Sequence, residues 1–132
     1  MPKKLNHITV AVSNLDRSLV FYQEIIGCTP LVRWDGGAYL SLDDLWLCLS
    51  VGLPIPSNDY SHIAFSIDST ELNHYQTLVK KDLIVLWKEN QSEGESIYLL
   101  DPDGNKLELH CGDLQSRLAS LKDKPYPGLK WY

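Results

Sequence analysis

Asn6-His7-Ile8-Thr9-Val10-Ala11-Val12 and Ser61-His62-Ile63-Ala64-Phe65-Ser66-Ile67 carry one pattern twice. In a strand, side chains alternate between faces, so His7, Thr9 and Ala11 oppose Ile8, Val10 and Val12. In the second copy His62, Ala64 and Ser66 oppose Ile63, Phe65 and Ile67. Each copy therefore places a histidine on a small-sided face whose reverse is apolar. A third stretch, Leu107-Glu108-Leu109-His110, sets a carboxylate on a similar strand.

Around these strands the order of elements repeats. The first half reads as a strand Leu5–Val12, a helix over about 15–26, and strands near 31–34, 38–42 and 45–51. Asn14 suits the helix start, Leu15, Leu19, Tyr22 and Ile26 share one face, and Gly27 suits a left-handed residue past its end. Asp35-Gly36-Gly37 reads as a turn, with glycine supplying a positive φ. Gly52 through Asp59, with two prolines, is the natural linker. Beyond it come a strand over 61–67, a helix over about 69–81, and strands near 84–87, 96–100 and 106–110. The last two are joined by the tight turn Asp101-Pro102-Asp103-Gly104-Asn105, and a helix from Leu114 to about Lys122, capped by Asp113, precedes an irregular tail. A duplicated βαβββ module explains this order, with modules at about 5–51 and 60–111 in a single domain spanning residues 1–132. The expected class is α+β, a mixed sheet that curls on itself.

Composition narrows the field. With 132 residues, 44% hydrophobic and 22% charged, the chain is an ordinary globular sequence, with no apolar run near the roughly 18 residues of a membrane span. The first residues lack the apolar region of a secretion signal. A net charge of −5 with dispersed lysines and arginines leaves no footprint for nucleic acid or an anionic membrane. Cys28, Cys48 and Cys111 have neither disulfide nor C-x-x-C spacing and suit reduced thiols, hence a cytoplasmic location.

His7, His62 and Glu108 form a two-histidine, one-carboxylate set, suited to a divalent ion such as manganese, iron or zinc with positions open to substrate. Cys48 stands where the repeat places Glu108, so it is either a buried thiol or a soft fourth ligand. His74, on an amphipathic helix, and His110, on the strand of Glu108, are expected to be structural. Between Lys88 and Tyr98 the chain is strongly polar; Lys88, Ser92, Ser96 and Tyr98 offer an ammonium and three hydroxyls, the donors of either a phosphate or phosphonate cradle or a solvated loop. Arg117, four residues after Asp113, either completes that cradle or forms a surface ion pair.

The repeated modules, with His7, His62, Glu108 and the Asp101–Asn105 turn, resemble the vicinal-oxygen-chelate superfamily. More narrowly, residues 5–9, 33–40, 45–50, 87–96 and 112–118 resemble the manganese-dependent glutathione transferases that inactivate fosfomycin. The resemblance implies a paired-domain homodimer in which His7 of one subunit joins His62 and Glu108 of the other around Mn(II). It implies that Lys88, Ser92, Ser96, Tyr98 and Arg117 hold the phosphonate, with Thr9 beside the epoxide oxygen and Trp46 near the substrate carbons. Thr9, Tyr39 and Lys88 form the implied catalytic set. Asn90, Ser92, Gly94 and Ser96 match a potassium loop, and Trp34, Tyr39 and Ser50 a glutathione channel. Water or another thiol attacking the same epoxide is the nearest alternative. An iron-dependent ring-cleaving dioxygenase shares the ligand set, and an antibiotic-sequestering dimer would share the fold without chemistry.

Overall fold

The computed structural model describes residues 1–90 and 95–132. Two compact units emerge, one comprising Met1–Tyr60 with Asp101–Asn105 and the other Ser61–Leu100 with Lys106–Tyr132. Each contains a four-stranded mixed sheet. Among the described residues, no helix is long and apolar enough to cross a membrane.

The first unit contains β1 (His7–Val12), α1 (Leu15–Val20), β2 (Thr29–Trp34), β3 (Gly37–Leu42) and β4 (Leu45–Val51). The sheet order is β1-β4-β3-β2, with β1 parallel to β4 and the other pairs antiparallel. The expected alternation holds: Val10 and Val12 are buried while His7, Thr9 and Ala11 are exposed. Val10, Val12, Leu40, Leu47 and Leu49 form a core against which Leu15, Tyr22 and Ile26 are buried. Asn14 caps α1 by accepting from the Arg17 N–H at 3.0 Å. The helix expected to run uniformly to Ile26 instead widens over Phe21–Ile26 into a π-helical turn, its Tyr22 carbonyl accepting from Gly27 and Cys28. Gly27 takes the expected left-handed conformation, φ 91°.

The turn at Asp35-Gly36-Gly37 forms where expected, but not by the expected positive φ. Neither Gly36 nor Gly37 has a positive φ. Gly37 is instead required for space, since a Cβ there would collide with the Leu49 carbonyl and stand 3.0 Å from the Trp34 ring. The Asp101–Asn105 turn behaves as expected, with Gly104 at φ 88°. Asp101, 4% exposed, accepts from the Tyr22 hydroxyl at 2.7 Å, the Asp103 and Asn105 amides, and the Asn105 side chain.

In the second unit, β5 (Ile63–Ser66), α2 (Ser69–Lys80), β6 (Val85–Lys88), β7 (Glu95–Leu100) and β8 (Lys106–Cys111) repeat that order, followed by α3 (Leu114–Asp123). The sheet order is β5-β8-β7-β6. Phe65, Ile97, Leu99, Leu107 and Leu109 are buried with Leu72 and Tyr75 of α2. Asp68 and Asp113 cap their helices through reciprocal capping boxes. β5 is shorter than the expected strand, so His62 lies one residue ahead of it.

Candidate active site

β8 is central to the second unit's sheet, and its pairing decides which side chains meet. Glu108 lies opposite Ala64 on β5 and opposite Tyr98 on β7, and Tyr98 in turn lies opposite Lys88 on β6. Directly paired residues point to the same face, so Lys88, Tyr98 and Glu108 form one row. Strict alternation would not produce this row. Leu86 pairs with Leu99 on the core face, and simple counting would put Lys88 opposite Ile97 on that face too. A bulge at Trp87 shifts the register by one, so Lys88 faces Tyr98 instead. The first unit has the matching bulge at Leu31, between Pro30 and Val32.

On this face His62 Nε2 stands 2.9 Å from Glu108 Oε1. Glu108 is 8% exposed, a burial that a carboxylate sustains only with partners. Its second oxygen accepts from the Ser96 hydroxyl at 2.6 Å, and the Ser96 oxygen also lies 2.7 Å from His110 Nδ1. Ser96 has a single hydrogen, and it is directed at Glu108 instead of serving as the anion donor expected from composition. Trp87 closes the site: its ring lies 5.6 Å from His62 and 5.2 Å from Tyr98, and its Nε1–H donates to the Leu107 carbonyl at 2.9 Å.

Lys88 Nζ sits 4.8 Å above the Tyr98 ring, which is 3% exposed. A cavity of ≈ 450 Å³ is lined by Lys80, Lys88, Asn90, Ser96 and Tyr98, together with apolar side chains of α2, β6 and β7. The expected cradle members Lys88, Ser96 and Tyr98 are thus brought together. Ser92, also expected in the cradle and the potassium loop, and Gly94 of that loop lie outside the described residues. Arg117 sits on α3 and donates to the Tyr126 hydroxyl at 3.1 Å.

In the first unit, His7, Thr9, Trp34, Tyr39, Trp46 and Ser50 share the open face of their sheet. The pairings His7–Trp46, Thr9–Cys48, Tyr39–Cys48, Ser50–Gly37 and Trp34–Gly37 show this directly. Three ring contacts run across it: His7 to Trp46 at 4.4 Å, Trp46 to Tyr39 at 5.2 Å, and Tyr39 to Trp34 at 4.8 Å. Trp34 and Trp46 are 44% and 38% exposed. His7 Nδ1 lies 2.6 Å from the Asn6 carboxamide oxygen, which sets Nδ1–H as the donor and leaves the Nε2 lone pair for a ligand. Cys48 occupies the position that Glu108 holds in the repeat, paired with Thr9 and Tyr39, and is half-buried. Among the described residues of one chain, no three His, Cys, Asp or Glu residues gather to hold a metal.

Two contributors were not expected from the sequence. His110, expected to be structural, is hydrogen-bonded to Ser96, and it shares Glu108's face because it lies two residues along the strand. The sequence assigns Trp87 no role of its own; alternation from Leu86 turns it to the face of Tyr98.

The fold and this site define a class: residues 4–109 match the Glyoxalase/Bleomycin resistance protein/Dioxygenase superfamily, and the chain belongs to it. Within it the chain belongs with the fosfomycin resistance enzymes. It is 44% identical to glutathione transferase FosA of Serratia marcescens, covering 98% of this chain and 95% of that one. It is 39% identical to metallothiol transferase FosB of Lysinibacillus sphaericus, covering 91% and 90%. Among solved structures, a variant of the fosfomycin resistance protein FosX of Listeria monocytogenes, complexed with Mn(II) and 1S,2S-dihydroxypropylphosphonic acid, superposes with a TM-score of 0.80. That chain is 30% identical, with 90% of this chain and 99% of that one covered.

Proposed function

We propose that the chain forms a homodimer that uses Mn(II) to add the thiol of glutathione to the epoxide of fosfomycin. The observation that carries this reading is the convergence of His62 Nε2 and Glu108 Oε1 at 2.9 Å on the face that also presents Lys88. It pairs a metal-type donor set with an anion-binding ammonium. The extent and level of identity to FosA supports the choice of reaction.

The donor set fits a divalent first-row ion. Imidazole nitrogen and carboxylate oxygen suit manganese, iron or zinc, and two atoms each roughly 2.1 Å from one ion at a right angle stand about 3 Å apart. In the proposed dimer the third ligand is His7 of the partner subunit, which accords with one chain gathering no complete set among its described residues. Bound there, the ion supplies a Lewis acid for the epoxide oxygen.

The remaining work falls to side chains. Lys88, with Ser92, Tyr98 and Arg117, binds the phosphonate and fixes the substrate, so that positioning becomes rate. Thr9 donates a hydrogen bond to the ring oxygen, and Trp46 packs against the substrate carbons. The thiolate forms the new C–S bond opposite the C–O bond that breaks, and the released oxygen takes a proton from water. Trp34, Tyr39 and Ser50 line the approach of glutathione, with the Tyr39 hydroxyl directed at its sulfur. Asn90, Ser92, Gly94 and the lone pair of Ser96 hold potassium. No protein nucleophile is needed. Glutathione and three free cysteines accord with the cytoplasm.

A second reading, in which another thiol or water attacks, is favoured by the likeness to a metallothiol transferase and by the diol in the FosX complex, which is what water added to the epoxide would yield. Product mass after incubation with glutathione, with other thiols and with none separates the readings. The glutathione adduct alone is expected; a diol formed equally fast without thiol would overturn it.

A further inference from the structure

The contacts of Ser96 determine more than its own role. Its oxygen lies 2.6 Å from Glu108 Oε2 and 2.7 Å from His110 Nδ1, and His110 Nδ1 is 3.4 Å from the same carboxylate oxygen. A carboxylate only accepts, whereas a hydroxyl has one hydrogen to give. If Ser96 gave that hydrogen to His110, its lone pair would face a carboxylate lone pair at 2.6 Å, a repulsive contact. The hydrogen therefore goes to Glu108, and Ser96 must accept from His110 Nδ1–H. The donor order is His110 to Ser96 to Glu108.

The ring's position is built into the end of β8. Gly112 has φ 149°, and a Cβ there would stand 2.8 Å from His110 Nε2 and 3.2 Å from Ser116 Oγ. Only a bare backbone admits the ring in this place. Ser96 and His110 are also a direct cross-strand pair, so the hydroxyl and the imidazole meet without strain in the ladder.

We infer that His110 is a positioning residue for the candidate metal carboxylate, acting through Ser96. By fixing the direction of the Ser96 hydrogen it ties down Oε2 of Glu108. That leaves Oε1, the atom beside His62 Nε2, as the single oxygen presented to the ion. Such outer hydrogen bonds orient a ligating carboxylate and set its affinity for metal. One lone pair of Ser96 is left over, enough for a potassium ion but not for donation to a phosphonate. This inference rests on the metal reading of His62 and Glu108.

The test is Mn(II) affinity without fosfomycin or thiol, read from the electron paramagnetic resonance signal of free Mn(II), with folding checked by denaturation midpoint. His110→Ala and Ser96→Ala are each expected to weaken Mn(II) binding by roughly 10- to 100-fold. The double variant should be no weaker than the worse single one, because both break the same relay. His110→Asn, whose amide N–H can stand where Nδ1–H stood, should restore affinity to within about threefold, while His110→Gln should not. Unchanged affinity in a folded His110→Ala, multiplied losses in the double variant, or equal rescue by glutamine would overturn the inference. His62→Ala separates the two levels. If it abolishes Mn(II) binding while His110→Ala does not matter, only the inference falls; if it leaves binding intact, the metal reading falls with it.

Discussion

Replacing Lys88 with methionine removes the ammonium while keeping most of the stem that packs over Tyr98. Lys88 is half-buried, so the proposed bond to a phosphonate oxygen would be neither fully screened nor fully desolvated. A hydrogen bond to a charged group contributes about 1.5–3 kcal/mol, which corresponds to a loss of roughly 10- to 150-fold in phosphonate affinity. The effect on metal has the opposite sign. Lys88 and Glu108 are separated by two strand spacings, roughly 10 Å, at which a unit charge and a divalent ion repel by about 0.8 kcal/mol in a water-like dielectric. Lys88→Met should therefore leave Mn(II) affinity unchanged or tighten it by up to about fourfold. Calorimetric titration of the Mn(II)-loaded protein with fosfomycin, without thiol, measures the first quantity; competition for Mn(II) measures the second. A variant that loses Mn(II) yet binds fosfomycin normally would refute the assignment of Lys88 to the anion.

Three further outcomes follow from the geometry. Tyr22→Phe removes one of two donors to a buried carboxylate oxygen and should cost about 1.5–2 kcal/mol, seen as a lower urea midpoint at unchanged slope. A mixed dimer of one His7→Ala chain and one His62→Ala chain should recover one intact metal site, because the proposed ligands come from different subunits; failure to recover Mn(II) binding would place them in the same chain. Burial raises the Cys28 thiol to about 11, so below pH 9 it is neutral whether folded or unfolded. Between pH 9 and 11 the unfolded chain loses that proton first, so stability should fall across this window, less so in Cys28→Ala.

Much of this was legible in the chain because the signals are local. Alternation around His7 and His62 set the strand faces, Asn14 and Gly27 marked the first helix, and Asp101–Asn105 marked its turn. The histidine repeat set the candidate ligands His7 and His62 at matching positions because a duplicated module repeats its order of elements. What escaped depends on pairing between strands. No count along the sequence reveals that the bulge at Trp87 returns Lys88 to the face of Tyr98, or that Ser96 and His110 become direct partners. The turn at Gly36-Gly37 was located correctly, but for the wrong reason, since its constraint is the neighbouring Leu49 carbonyl and Trp34 ring. The π-helical stretch Phe21–Ile26 after α1 is not legible in the sequence, because hydrophobic spacing does not distinguish an α-helical turn from a π-helical one.

The most direct test of the proposed reaction is phosphorus NMR of fosfomycin mixed with the protein, Mn(II) and glutathione, with and without potassium. The account predicts a new phosphonate signal that requires both Mn(II) and the thiol, appears faster with potassium, and is lost in His62→Ala. An unshifted fosfomycin signal under all these conditions would contradict it.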